Sequence, residues 1–244
     1  MTVIVTGKYM RAFGDVWRSN IFQKWLMAST GLLLVLFLIG HLSGNLLMFL
    51  GPEHMNEYGH SLREMLHGSA IWVVRGGLLL SFILHIWSAI VLTQRNRKAR
   101  PEKYVKTSPQ TSTLASRSMA ISGLLMLIYV LYHLAHFTFG GVHAQFFAGQ
   151  PGWQYALADG TLVPDVYKMV LASFKEPLIT VLYLLAMVLL GMHLSHAVAS
   201  VFQTLGVTNR RITPIIKVAG PLLGIGLALG FSSVPISIIV GLVH

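Results

Sequence analysis

Five stretches of this chain are apolar for longer than a bilayer is thick, and short polar segments separate them. They run from Trp25 to Leu50, Ile71 to Thr93, Ser118 to Phe139, Leu178 to Phe202 and Pro214 to Val243. Each reaches the ~20 residues that a helix needs to cross the hydrocarbon core. None contains Asp or Glu. The fifth is punctuated by Pro221 and Pro235 and carries Gly220, Gly224, Gly226 and Gly230. Both residue types are tolerated better in membrane helices than in soluble ones, and glycines there allow close helix contact. The pattern predicts an all-α membrane protein: one integral-membrane domain, 1–244, with five transmembrane helices.

Composition agrees. Of 244 residues, 54% are hydrophobic and 11% charged, and the mean hydropathy is +0.66, outside the range of soluble globular domains. There is no cysteine, so disulfides, thiolate haem, Cys-zinc sites and iron–sulfur clusters held by this chain are excluded. The segment "MTVIVTGKYMRAFGDVWRSNIFQK" lacks the apolar core of a cleavable signal.

The formal net charge of +10 acquires meaning from its placement. Lys8, Arg11, Arg18 and Lys24 precede the first span. The 94–117 linker carries Arg95, Arg97, Lys98, Arg100, Lys103, Lys106 and Arg117, and Arg210, Arg211 and Lys217 follow the fourth span. The 51–70 and 140–177 loops hold only Arg63, Lys168 and Lys175, with six of the eight acids. Basic flanks stay cytoplasmic. The expected topology is N-terminus in, C-terminus out, in a bacterial cytoplasmic membrane, with no call for nucleic acid. The basic face would suit anionic lipid or a docked partner. Trp17, Phe22 and Trp25 fit an interfacial belt.

Six of the eleven histidines fall inside spans: His41, His85, His133, His136, His193 and His196. Ionisable groups at membrane depth face a site or a partner. At 1.5 Å per residue, His41 and His133 lie ~24 and ~22 Å from the inner edge, and His85 and His193 roughly 12–14 Å. That gives one histidine on each of the first four helices, in two level pairs about 10 Å apart in depth. Imidazoles facing each other across a bundle suit six-coordinate haem, with iron taking one nitrogen from each side. A bare zinc ion lacks further ligands there. Without carboxylates the spans offer little for a proton pump or a carboxylate-based transporter. Small residues beside the histidines (Gly40, Ser43 and Gly44; Ser81, Ser88 and Ala89; Gly191, Ser195 and Ala197) suit a flat macrocycle and tight helix packing equally.

These residues carry a resemblance. "SNIFQKWLMASTGLLLVLFLIGHLSGNLLMF", with His41 followed by Asn45, "SGLLMLIYVLYH", with His133 ten residues after Gly123, and "HLSHAVASVFQTLGVT" are similar to the single-chain, five-helix, di-haem cytochrome b anchor of succinate dehydrogenase/fumarate reductase, the b558 family. The likeness spans the whole chain and aligns His193, rather than His196, with a ligand position. "FILHIWSAIVL" is less distinctive and rests on His85.

The resemblance implies that the first four helices form a bundle around two b haems. His85 and His193 would be axial ligands of the inner (proximal) haem, and His41 and His133 of the outer (distal) one. It implies an FAD flavoprotein and an iron–sulfur subunit on the cytoplasmic face, where succinate and fumarate react. This chain of respiratory complex II, which belongs to the tricarboxylic acid cycle, would pass electrons to a membrane quinone, menaquinone above all. Whole complexes of this kind also form higher oligomers. Some di-haem fumarate reductases carry a glutamate near the fourth-helix ligand; here its neighbours are Gly191, Met192 and Leu194. That favours a succinate:menaquinone reductase over the fumarate reductase direction.

The remaining candidates have plainer alternatives. His136 and His196, three residues beyond the proposed ligands, fit second-shell or propionate contacts, or simple helix packing. Arg75 fits outer-haem propionates or snorkelling. Lys24, Ser29, Thr30 and Arg117 fit inner-haem propionates or an inner quinone site, and the two cations also serve topology. Glu57, Tyr58, His60 and His67 in the outer loop fit quinone proton exchange, or solvation alone. A quinol:cytochrome c reductase-type cytochrome b needs two ligands about four turns apart on one helix, which no span provides. A transporter or structural membrane protein is the reading from outside electron transfer.

Overall fold

The computed structural model describes residues 14–99 and 114–244, without side chains for 114–118. Lys8, Arg11, Arg100, Lys103 and Lys106 lie outside the described residues, as does the side chain of Arg117.

The first long helix, α1 (Asn20–Leu46), begins where Ser19 accepts a hydrogen bond from the Phe22 amide, the N-cap role of a short hydroxyl residue. It continues through a 3-10 turn, Leu47–Leu50. A short helix, α2 (Pro52–Glu64), lies at its far end, and α3 (Ser69–Lys98) returns. Next come α4 (Leu114–His133) and a π turn, Leu134–Thr138. A 3-10 turn (Ala144–Phe146), a two-stranded antiparallel hairpin of β1 (Gln154–Ala156) and β2 (Leu162–Pro164), and α5 (Val166–Lys175) follow. The chain then forms α6 (Pro177–Thr204) and α7 (Ile212–Ile239).

Five helices are long and apolar enough to span a membrane: Asn20–Leu50, Ser69–Lys98, Met119–Thr138, Pro177–Thr204 and Ile212–Ile239. The protein is a mostly helical, multi-pass membrane protein in architecture. Many of its large apolar side chains face outward, among them Leu36, Trp87, Ile128, Leu185 and Ile225, as hydrocarbon solvent permits. The helices exceed the apolar stretches at several ends, most at two. α1 starts five residues before Trp25. α3 runs five beyond Thr93 because Arg95, Arg97 and Lys98 sit in its last turn, where cations complement the helix dipole. α7 stops short of Val243, with Gly241 at φ +77° just beyond. Pro221 and Pro235 lie inside it without ending it.

Packing is uneven. α3 lies along α1, α4 along α6, and α6 along α7, while α1 also reaches α6 and α7. The α6–α7 seam is made by small residues. A Cβ on Gly224 would stand 2.7 Å from the Gly191 carbonyl and 2.9 Å from Ser195 Oγ, so only glycine permits this approach.

One end of the bundle carries a cap. The 51–70 and 140–177 segments, read from sequence as polar loops, form α2, the hairpin and α5, and they join each other. Buried Asn56 donates to Asp165 Oδ1 (3.1 Å) and accepts from the Tyr167 amide. Asp165 also caps α5 by accepting from the Lys168 amide. Glu53 accepts from the Ala158 amide on the hairpin. A core of Met48, Met55, Val170, Phe174, Ile179, Tyr183, Val234 and Ile238 binds this cap to the spans. The opposite, basic end carries Arg95, Arg210 and Arg211; there Arg95 donates to Asn20 Oδ1 at 2.7 Å.

Candidate functional site

The four spans that carry His41, His85, His133 and His193 bring them together two by two, and all four rings are half-buried. The His41 and His133 rings lie 5.9 Å apart, nearly perpendicular. Two imidazoles on opposite sides of one metal ion, bonded at about 2 Å each, place their ring centres about 6 Å apart. His85 and His193 are close enough to interact electrostatically. The two pairs occupy separate levels. His85 meets Met27 to Gly31 of α1, ten or more residues before His41, and His193 meets Ser122 and Gly123 of α4, ten or more before His133. At helical rise the levels are ~15 Å apart.

Hydrogen bonding fixes which nitrogen each ring presents. At His85, Nδ1 faces the Met27 carbonyl (3.2 Å), which only accepts, so Nδ1 carries the proton and Nε2 the lone pair. Thr30 stands 3.5 Å from the same nitrogen, but its hydroxyl proton goes to Leu26 O at 2.6 Å. At His193, Nδ1 is 3.2 Å from Ser122 Oγ, whose own proton goes to Met119 O. His193 Nδ1 therefore donates, and its Nε2 is left bare. His41 Nε2 lies 3.5 Å from the Asn45 amide nitrogen, a donor that also bonds the His41 carbonyl at 2.7 Å. His41 Nε2 is therefore the acceptor of that contact, and its lone pair has Asn45 as a partner. His133 Nδ1 faces the Tyr183 hydroxyl at 3.4 Å.

Two glycines make room for the His85–His193 level. A Cβ on Gly31 would stand 3.1 Å from His85 Cε1, and one on Gly123 3.5 Å from His193 Cε1. At the other level aromatic rings frame the pair. Phe37 stacks on His41 (5.3 Å, 11°), Phe231 of α7 stands 5.6 Å from it, and Tyr129, Phe137 and Tyr183 surround His133. The fifth span thus helps to line the His41–His133 level, whereas the sequence reading put only the first four around the site.

The donor set fits haem. Among the described residues no three His, Asp or Glu side chains gather to hold a bare ion. Paired imidazoles, with Nε2 left over at His85 and His193 and with glycine and aromatic rings around them, match a macrocycle that supplies the other four bonds itself.

His136 and His196 have different surroundings. His136 is buried in the π turn, with Nδ1 3.0 Å from Tyr183 Oη and Nε2 3.1 Å from Ser173 Oγ, so both nitrogens are engaged. His196 is half-buried and forms no hydrogen bond among the described residues. Thr30 touches His85, whereas Lys24 and Ser29 are exposed at the basic end, Ser29 in an apolar groove with Trp25 and Phe22.

Arg75 stacks over Trp72 (5.1 Å) and shares a small groove with Arg63. Burial and then the nearby Arg75 charge push Arg63 below the usual arginine range. The outer-loop candidates are dispersed. Tyr58 lies against Gly44, where a Cβ would meet it at 2.7 Å, one turn beyond His41. His60 is near Asp159 of the hairpin. Glu57 and His67 are exposed, and His67 sits in a left-handed turn.

Ser122, Ser173, Tyr183 and Phe231 escaped the sequence reading. Tyr183 had a signal, as the one hydroxyl-bearing aromatic in "LITVLYLLAMVLLGM"; the serines look like packing residues until their partners are seen. No family model, curated protein or solved structure matches this chain.

Proposed function

We propose that this chain is a di-haem cytochrome b membrane anchor of the b558 type, a subunit of succinate:quinone oxidoreductase, with two haem b cofactors. One observation carries the reading. Four histidines from four spans form two pairs at separate levels, and in His85 and His193 the neighbouring bonds engage Nδ1 and leave Nε2 as a bare lone pair. His85 and His193 would hold the haem nearer the basic end, and His41 and His133 the one nearer the cap. When bound, the haems would supply one-electron transfer between an iron–sulfur partner at the basic end and menaquinone in the membrane.

The chain's own part is to hold and orient. Met27 O and Ser122 Oγ fix the rings of one pair, and Asn45 and Tyr183 those of the other. The apolar spans keep water from both levels. Their lack of Asp and Glu leaves no carboxylate path for protons, which favours the succinate-oxidising direction. Arg95, Arg210 and Arg211 at the basic end suit a docked soluble partner and anionic lipid in the cytoplasmic leaflet.

The test is a reduced-minus-oxidised spectrum with haem quantification on the purified full chain. Two b-type haems per chain are expected, falling to one in His193→Leu with the other haem retained. A chain without a b-type α-band would defeat the proposal.

A further inference from the structure

Behind His133 lies a chain of hydrogen bonds whose directions are all determined from its far end. Ser173 Oγ donates to the Met169 carbonyl at 2.8 Å. A hydroxyl has one proton, so toward His136 Nε2, 3.1 Å away, Ser173 Oγ accepts. His136 is 2% exposed, and its hydrogen-bond partners among the described residues are the Tyr183 and Ser173 hydroxyls, with no carboxylate; a neutral ring is the form that burial favours. With its proton on Nε2, His136 Nδ1 is an acceptor, and the Tyr183 hydroxyl donates to it at 3.0 Å. Tyr183 Oη has then spent its proton and accepts from His133 Nδ1 at 3.4 Å. The proton on His133 is thereby confined to Nδ1, and Nε2 keeps the lone pair, on a ring whose centre is 5.9 Å from that of His41.

We infer that Tyr183 and His136 are positioning residues that lock His133 into the Nδ1–H tautomer and so set its strength as an axial ligand. The inference rests on the haem reading above and adds the residues that tune one of the two sites. None of them touches the iron. Ser173 belongs to α5 in the cap, Tyr183 to α6 and His136 to the π turn, so the device joins a membrane site to a helix outside the spans. π turns inside α-helices are frequent at functional sites. Here the turn carries His136 onto Tyr183 and Ser173 while His133, three residues earlier, faces His41. An acceptor on the distal ring nitrogen makes an imidazole a more basic ligand, and its removal typically lowers metal affinity 10–100-fold.

The experiment is a redox titration of both haems in the purified full chain, with haem content measured alongside. In Tyr183→Phe the haem at His41–His133 should bind roughly 10-fold more weakly or worse, and its midpoint should rise. A tenfold loss confined to the ferric form corresponds to about 59 mV for one electron. The haem at His85–His193 should keep its wild-type potential. His136→Leu should do more damage, because the freed Tyr183 hydroxyl can turn and donate to His133 Nδ1, forcing the proton onto Nε2. His136→Asn, whose amide restores an acceptor, should recover most of the loss. The inference is overturned if the Tyr183→Phe potentials match wild type, if both haems shift together, or if His136→Asn is no better than His136→Leu. A wild-type chain that binds no haem is a separate result and removes the reading beneath.

Discussion

The two histidine levels are built by different means. At the His85–His193 level each ring leans on one neighbouring span, His85 on the Met27 carbonyl of α1 and His193 on the Ser122 hydroxyl of α4, with Gly31 and Gly123 making room. At the His41–His133 level the supports come from five places: Asn45 of α1, the π turn, Ser173 of the cap, Tyr183 of α6 and Phe231 of α7. The first level depends on helix register alone. The second depends on the whole tertiary cluster, cap included. A local device and a distributed one should fail differently, and each variant below separates them.

The largest effect is expected from filling the glycine space. Gly31→Val puts branched carbon where a single Cβ already stands 3.1 Å from the His85 ring. Cε1 and Nδ1 of that ring, at 3.1 and 3.4 Å, are what the new side chain meets, so the ring must leave its position. The His85–His193 haem should be lost entirely and the other retained, as one haem per chain by pyridine haemochrome assay. Loss of both haems would show that the levels are not independent.

Next come the seams of α7, which differ in kind along its length. Near His193, a Cβ on Gly224 would press on backbone, 2.7 Å from Gly191 O. Near His41, a Cβ on Gly230 would meet only the tip of Leu42, at 2.6 Å from Cδ2. Backbone cannot give and a leucine rotamer can. Gly224→Ala should therefore destabilise by about 1–3 kcal/mol, the usual cost of overpacking, and Gly230→Ala by clearly less. Thermal unfolding in detergent compares them. Equal losses would mean that the Leu42 side of α7 is as rigid as the Gly191 side.

The same contrast governs what could be read from the sequence. The five spans were legible because twenty uncharged residues admit few other structures. Their ends were not, since Arg95, Arg97 and Lys98 read as linker but complete the last turn of α3. The levels of the four histidines follow from counting at constant rise, which works while helices stay regular. The cap was illegible. Asn56 and Asp165 are separated by 109 residues, and nothing local marks either as half of a buried pair. The π turn was hidden for the opposite reason: "LAHFT" reads as ordinary helix, and only the surrounding packing adds the extra residue to the turn. His136 and His196 therefore looked alike in sequence, three residues beyond His133 and His193, although one is fully bonded and the other is not.

Single hydroxyls sharpen the comparison further. Ser122→Ala removes the acceptor behind His193, along with a local bond to the Met119 carbonyl, so the His85–His193 haem should bind roughly 10-fold more weakly, the low end for a lost second partner, and the other haem should not change. Ser173→Ala acts at two removes from His133. It leaves the buried His136 Nε2–H without an acceptor, at a cost to stability of about 1–3 kcal/mol, and its effect on the His41–His133 haem should be smaller than that of Tyr183→Phe. Haem titration of the two variants in parallel should give opposite patterns of loss. If Ser173→Ala disturbed the His85–His193 haem more, the cap would not belong to the level assigned to it.

The smallest effect lies at the rim of the cap. Asp159 accepts from the Thr161 amide at 2.9 Å, and that bond, then the Thr161 hydroxyl, holds its carboxyl below the ordinary value of 3.8. A depressed folded-state value means the contribution is complete above 3.8 and fades as pH falls through the lower, folded value. Asp159 is fully exposed, so the effect is confined to the turn. Amide exchange at Thr161 should show protection that is constant above pH 3.8 and drops below it, and Asp159→Asn should flatten that drop. Neither haem should respond to the substitution, because the route from cap to His133 runs through Ser173 of α5 and bypasses the hairpin. A shift of the His41–His133 potential in Asp159→Asn would mean that the distributed site reaches the outermost turn of the cap.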